Sequence, residues 1–492
     1  MKTTITKPYL WFPVQKGAPK CTVEVFSDKR KIYEFDIEAS LGGSADFHSH
    51  WHVAEWVGEE LEFQSNCPDG WWEFVSQQDG WEEIGEHRPS LHFTAHTGWL
   101  NDPNGLHFDG VNYHLYFQHN PYGVTWGNMH WGHAVSKDLI HWEQLDEAMY
   151  PDEHGVMFSG SACIHPKTGS NDVLMFYTAW GGEQRWSKNA QTSQCFARTL
   201  GSEIVKERMC FWGPNKESRD PKVFFHESTA AFVMVLYLHE NDFGIFRSND
   251  LHRWTQTQTI TLAGATECPD LFLLKNKEGQ SRWVLLTADG FYYIGDFDGY
   301  CFTNYSHRHH AYMGNLPYAA QTWSNVMGER TVLIAWLRTL NTGHRYRGLM
   351  SLPMDVSLNR NADALQLHPA KEFEKNRKRE VRYSGEPVKM SIKHGMYEFV
   401  LKLDEDESCK MLIGENEWVF NPKQKVLIAL NERYDCLSTQ FRIFVDCDIV
   451  EIFALDEGLY CAAEIKQDPY MLDIRFLGIP RKDGAIKLFI HE

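Results

Sequence analysis

The chain has 492 residues, a formal net charge of −18 and 11 cysteines. That length exceeds one ordinary hydrophobic core and calls for two or three domains. The acidic surplus excludes a nucleic-acid binder, whose phosphates demand clustered Lys and Arg, and argues against an anionic membrane surface.

The first residues, Met1 to Val14, contain Lys2 but no apolar run of secretory-signal length behind it, and no later stretch approaches a membrane span. The cysteines are odd in number, scattered and without a Cys-x-x-Cys pair. In a chain of this size that fits free thiols in a reducing compartment, so a cytoplasmic location is expected. Alternating stretches Thr22–Phe26 and Ile32–Asp36, separated by Ser27-Asp28-Lys29, predict a hairpin within a small β domain over residues 1–88. There His48-Ser-His-Trp-His52 puts three histidines on one strand face, a spacing that could bind a metal. Nothing nearby supplies a fourth ligand, so no metal is expected.

From residue 89 to 365 a faint repeat appears. Five β-branched and aromatic runs, Tyr113–Phe117, Val173–Tyr177, Phe232–Leu236, Trp283–Thr287 and Val332–Trp336, begin 60, 59, 51 and 49 residues apart. Each is too short for a helix and reads as a buried strand. A second element echoes in Asp138-Leu-x-x-Trp142, Asp250-Leu-x-x-Trp254 and Asp298-Gly-x-x-Phe302. Such a unit, recurring every 50 to 60 residues, predicts a five-bladed β-propeller, with a β-sandwich of coincidental spacing as the alternative. His307-Arg-His-His310 reads as a solvated loop or a rim. The charged stretch Lys371–Lys378 marks a connection. Beyond it, Met396–Leu403, Lys425–Leu430 and Phe441–Val445 alternate again, and residues 370–492 are expected to form a β-sandwich. The fold class is therefore all-β.

Upstream of the five runs stand Trp99-Leu-Asn-Asp-Pro-Asn-Gly105, Phe158-Ser-Gly-Ser161, Arg219-Asp-Pro221, Glu267-Cys-Pro-Asp270 and Gln321-Thr-Trp323. The gap leaves room for one partner strand and its turn, so the motifs should occupy equivalent places and converge on the axis of a propeller. Singly, each reads as turn chemistry. Jointly they gather three acids with several aromatic rings. Converging carboxylates suit glycoside hydrolysis, which needs one acid for the leaving oxygen and one carboxylate for the anomeric carbon or for water. Arg219 beside Asp220 would keep that carboxyl ionised.

Taken in order, these motifs resemble those of glycoside hydrolase family 32, the family of invertases, inulinases, levanases and fructan exohydrolases. The resemblance extends through Trp126–Ala134, Ala319–Asn325, Met350–Pro353, Phe441–Asp446 and Val450–Phe453. It implies a five-bladed propeller followed by a β-sandwich. It also implies a retaining β-fructofuranosidase with Asp102 as nucleophile, Asp220 as transition-state stabiliser and Glu267 as acid/base. Asn101, Gln118, Trp126, Phe158, Ser159, Arg219 and Trp323 match positions lining the fructosyl pocket. Cys268 reads as a packing or tuning residue, and no cofactor is implied. The substrate is expected to be a fructose-containing oligo- or polysaccharide, cut in exo fashion. A fructosyltransferase, a glycosidase for another furanoside or pentoside, and a non-catalytic sugar binder are the alternatives. The segment before residue 88 is similar to the small β domain that precedes the propeller in some levanase-like members.

Overall fold

A computed structural model describes the chain except residues 41–44, 84–87, 165–171, 183–185, 188–190, 202, 341–342, 384–387, 394–395, 430, 466–470, 481–483 and 492. For 208–210, 388–393 and 471–472 it describes the backbone alone. The protein is nearly all-β. Among the described residues, the one α-helix is Glu372–Lys375, within the charged connection, and no helix is long and apolar enough to cross a membrane.

The N-terminal part holds a four-stranded and a three-stranded sheet. Its hairpin forms as expected, Lys20–Ser27 pairing antiparallel with Arg30–Glu38. Asp28 and Lys29 carry it through the turn with φ of 47° and 69°, the left-handed pair that matches strand twist. Phe12, Phe35 and Trp71 fill the core between the sheets, and Tyr122 enters from outside and stacks on Phe35 at 4.0 Å. The histidines of strand Phe47–His52 do share a face, yet each has a different neighbour. His48 meets Glu82 at 3.3 Å, His50 stacks on Trp81 at 4.4 Å, and His52 meets Asp146 at 3.3 Å.

Five sheets follow in chain order, here sheets I to V, antiparallel except where Tyr346–Arg347 joins sheet I in parallel. Their first strands are Gly98–Phe108, Val156–Ile164, Arg219–His226, Asp270–Lys275 and Pro317–Thr322. The five repeated apolar runs fall in the second strands, Tyr113–Asn120, Val173–Trp180, Ala231–His239, Ser281–Leu286 and Thr331–Leu337, with Thr287 just past its strand. The Asp echo is one repeated turn. In sheets I, III and IV it joins the third strand to the fourth. Asp138, Asp250 and Asp298 each accept two backbone N–H bonds from just ahead, at 2.7 to 3.0 Å. The next residue, Leu139, Leu251 or Gly299, sits at φ of 65°, 67° or 89°. His309–His310 is a short strand pairing with Phe291–Phe297 of sheet IV rather than a loop.

Sheet V runs on through Leu365–Pro369, past the expected boundary at 365, and Tyr346–Arg347 returns to pair with Gly98 and Trp99 of sheet I. A seven-stranded and a six-stranded sheet complete the chain around Trp418, Phe399, Phe441 and Phe476. The predicted runs appear there as Met396–Lys402, Val426–Ala429 and Gln440–Asp446, with Leu430 outside the described residues. Tyr312–Met313 crosses over to pair with this part. Inside it, buried Glu398 is held by Arg377 at 2.5 Å, Arg442 at 2.5 Å and His491 at 3.1 Å. Burial would raise its carboxyl, but these partners pull it down to about 2.

Candidate active site

The first strands of sheets I, II, III and V break register at corresponding places. The shifts lie between Leu100 and Pro103, Met157 and Gly160, Arg219 and Lys222, and Tyr318 and Gln321. The residues in the gaps include Asn101 and Asp102, Phe158 and Ser159, and Asp220. A bulge interrupts strict alternation and re-aims the side chain it carries. In sheet IV the corresponding residues, Glu267 and Cys268, precede the strand with φ of 48° and 40°. Asp220 at 65° and Ala319 at 49° share this costly left-handed backbone. Gly160 explains its place in Phe-Ser-Gly-Ser: a Cβ there would stand 1.8 Å from the carbonyl oxygen of Phe176.

Hydrogen bonds tie the first strands to one another beneath the bulges. Asn104 of sheet I accepts from Gly160 N–H of sheet II at 3.1 Å, and Ser161 donates to the Pro221 carbonyl of sheet III at 2.8 Å. Buried Lys222 meets Asp270 of sheet IV at 2.9 Å, and Asp270 accepts from the backbone and hydroxyl of Thr322 in sheet V at 2.7 and 2.8 Å. Ser324 then donates to the carbonyl of Leu106 in sheet I at 3.0 Å. The outer acid of Glu-Cys-Pro-Asp is thus structural.

Above this belt the three expected carboxyls come together. The Cys268 thiol lies 3.4 Å from Asp102 Oδ2 and 3.5 Å from Asp220 Oδ2, and its N–H donates to Asp220 at 3.1 Å. Ser159 donates to Asp102 Oδ2 at 2.6 Å. Glu267 has one oxygen held by Arg219 at 2.6 Å and the other by the Tyr318 hydroxyl at 2.7 Å. Burial pushes the Asp102 carboxyl up, opposed by its bond from Ser159 and helped by the charge of Glu267. Asp220 is also raised by burial, against the pull of Arg219, with Glu267 and Asp102 adding to the rise. The expectation for Arg219 is therefore corrected. Its guanidinium makes its short contact with Glu267 and pulls on Asp220 from 3.9 Å, a pull that burial and the two neighbouring acids together outweigh. Burial and all three acids push the Cys268 thiol well up, so it stays a thiol beside them.

Of the remaining expected residues, Asn101 is buried and hydrogen-bonds toward Asp102 while accepting from Trp99 at 2.8 Å. Buried Gln118 spends its amide nitrogen on the Met157 carbonyl at 2.6 Å, which braces the bulge of sheet II. Phe158 is half-buried, and Trp126 is 45% exposed, 6.0 Å from the Phe158 ring. Trp323 departs from the expectation. It is 4% exposed, packs on Trp142 at 6.1 Å and donates to the His114 carbonyl at 2.9 Å, so no ring face is open to a sugar. The first strand of sheet V instead contributes Tyr318, which the sequence reading missed. Its signal was its place just ahead of Ala319-Ala-Gln-Thr-Trp, the segment already matched. Thr178 was also missed; its hydroxyl accepts the Asp220 N–H at 3.0 Å.

Comparison with known proteins agrees with this geometry. The sequence model described as "Glycosyl hydrolases family 32 N-terminal domain" matches residues 92–369. A levanase of Bacillus subtilis is 33% identical over 331 residues, covering 59% of this chain and 48% of the levanase. An invertase of Schizosaccharomyces pombe is 35% identical over 249 residues, 43% of this chain and 42% of the invertase. The match thus spans about half the length of these relatives. Among solved structures, an exo-inulinase from Aspergillus awamori superposes with a TM-score of 0.72 at 21% identity, covering 84% of this chain and 99% of its own. A glycoside hydrolase family 32 protein from Bifidobacterium adolescentis covers 100% of this chain and 99% of its own, with a TM-score of 0.71 at 18% identity.

Proposed function

We propose, from the premise that this chain belongs to glycosyl hydrolase family 32, that it is a retaining β-fructofuranosidase releasing terminal fructosyl units from sucrose, fructo-oligosaccharides or fructans. The observation that carries this reading is the gathering of Asp102, Asp220 and Glu267 around the one thiol of Cys268. Sheets I to V serve as five blades around one axis, followed by a sandwich, with a small N-terminal domain over 1–88. The belt of bonds linking first strands supports that arrangement. The odd cysteine count and the free thiols of the described cysteines support a cytoplasmic location.

In this mechanism Asp102 attacks the anomeric carbon while Glu267 gives its proton to the departing oxygen. Asp220 holds the sugar hydroxyls as positive charge develops on the ring. Glu267 then takes a proton from water, which attacks the fructosyl-Asp102 ester. Arg219 and Tyr318 orient Glu267, and Ser159 holds Asp102. Incubation with sucrose in aqueous methanol tests the class and the stereochemistry together. Methyl β-D-fructofuranoside should appear beside fructose and glucose; the α anomer would rule out retention. Incubation in concentrated sucrose without methanol separates hydrolysis from transfer, free fructose being expected in excess over longer oligosaccharides.

The Ser159 bond has a pH signature. Asp102 must be ionised to attack, burial raises its pKa, and the Ser159 hydroxyl lowers it. In Ser159→Ala the acid limb of kcat/KM should move up by about one to two pH units, since a hydrogen bond to a charged group is worth roughly 1.5–3 kcal/mol. The variant therefore loses more activity at pH 5 than at pH 7. A pH-independent loss would mean that Ser159 acts otherwise.

A further inference from the structure

The N-terminal domain supplies none of the three acids, yet it walls a cleft beside them. Lys20, Thr22 and Asp36 of its hairpin face Trp126, Asn128 and Trp180 across a volume of about 370 Å³, within the ordinary range of small-ligand pockets. Phe158 joins the two places. Its neighbour Ser159 bonds Asp102, while its ring lies 5.0 Å from Trp180 and 6.0 Å from Trp126. One wall of the cleft is thus aromatic. The other offers an ammonium, a hydroxyl and a carboxylate.

The wall is built in advance of any ligand. Asn128 accepts the Asp36 N–H and donates to the Asp36 carbonyl, both at 2.7 Å, and donates again to Asn120 at 2.9 Å. Lys20 reaches the carbonyl of Trp126 at 3.4 Å, and Thr22 donates to the Asp36 carboxylate at 2.6 Å. The hairpin is therefore clamped to the loop that carries Trp126. The side chains of Lys20 and Asp36 remain exposed.

We infer that this cleft binds the second and later leaving-group units of a fructose-containing oligosaccharide, units that sucrose lacks, so that the N-terminal domain sets the preference for chain length. The inference rests on the fructosidase reading. From a terminal fructosyl unit at Asp102, the Ser159–Phe158 bulge leads directly to this cleft. The units beyond the first leaving-group unit then meet ring faces on one side and hydroxyl-binding groups on the other, the division by which a sugar presents its C–H faces and its hydroxyls.

Lys20→Ala, Asp36→Ala and the double variant test this against sucrose, 1-kestose and inulin. Both side chains lie on the surface, so the fold is retained, which thermal unfolding checks. On sucrose, kcat/KM should stay within two-fold of the unaltered chain. On 1-kestose and inulin it should fall about ten-fold in the double variant, through KM rather than kcat, as expected for two lost polar contacts. No change on any substrate, or an equal change on all three, would overturn the inference. If the unaltered chain cleaves no fructoside, the fructosidase reading fails instead. Titration of 1-kestose against the unaltered and doubly substituted chains then decides the cleft alone: weaker binding in the double variant supports it, and equal binding overturns it.

Discussion

Asp102→Asn and Glu267→Gln are each expected to lower kcat on sucrose by roughly 10⁴-fold or more, while thermal unfolding stays cooperative. Both substitutions preserve shape. Asparagine still accepts the Ser159 hydroxyl, and glutamine still presents an oxygen to Arg219 or Tyr318. What each removes is chemistry: the nucleophile in the first case, the proton donor and acceptor in the second. The two losses differ in kind, and a substrate with a better leaving group separates them. With fructosyl fluoride, which needs no protonation to depart, Glu267→Gln should recover fructosyl-enzyme formation, whereas Asp102→Asn should not. Near-normal turnover in either variant would remove that residue from its role. Recovery in Asp102→Asn alone would exchange the two assignments.

The second large effect concerns stability. Asp446 accepts the backbone N–H groups of Ser90, Leu91 and His92 at 2.9, 2.7 and 3.0 Å, and the His92 ring at 2.8 Å. The other ring nitrogen of His92 lies 3.4 Å from Glu451, which also takes the Tyr460 hydroxyl at 2.7 Å and the Leu352 N–H at 3.1 Å. All three charged side chains are fully buried. The cluster joins the approach to sheet I and the segment leading into strand Met354–Leu358 of sheet V to strands Gln440–Asp446 and Ile449–Ala454. Asp446→Ala would strand a buried cation and three amide donors, at a cost of about 3–5 kcal/mol.

The same cluster predicts a pH dependence. Burial alone would lower the pKa of His92, but the bonds and charges of Asp446 and Glu451 outweigh it and raise it to about 9. A histidine raised in the folded state contributes its full stability below its unfolded pKa, about 6.5, and loses it as pH rises through about 9. The corresponding loss is on the order of 3 kcal/mol. The Tm should therefore fall between pH 7 and pH 10. Asp446→Asn, which keeps the shape but removes the charge that holds the proton, should flatten that fall. A wild-type Tm unchanged across this range would show that His92 is already neutral at pH 7.

Much of this architecture was legible in the sequence because it rests on short-range patterns. Alternation and apolar runs mark strands wherever one face or both must be buried, and all five repeated runs became second strands. The Asp turn was visible because a carboxylate capping its own loop is a local device, the same in each sheet where it recurs. The Phe441–Asp446 and Val450–Phe453 segments were matched as motifs, but their meaning emerged only once Asp446 and Glu451 were seen closing on His92.

Composition, repeat and motif spacing by themselves determined an all-β chain, a recurring strand unit and three acids at matching points of it. The bulges lay beyond that reach, because a register shift is a relation between two strands. So did the partner of Arg219, which bridges to Glu267 from a neighbouring sheet. A tryptophan in a strand looks the same in sequence whether its ring faces a sugar or a core, and packing alone placed Trp323 inside. Sequence carries what the backbone repeats locally. The tertiary structure decides which side chains share a cavity, since that depends on distances between residues far apart in the chain.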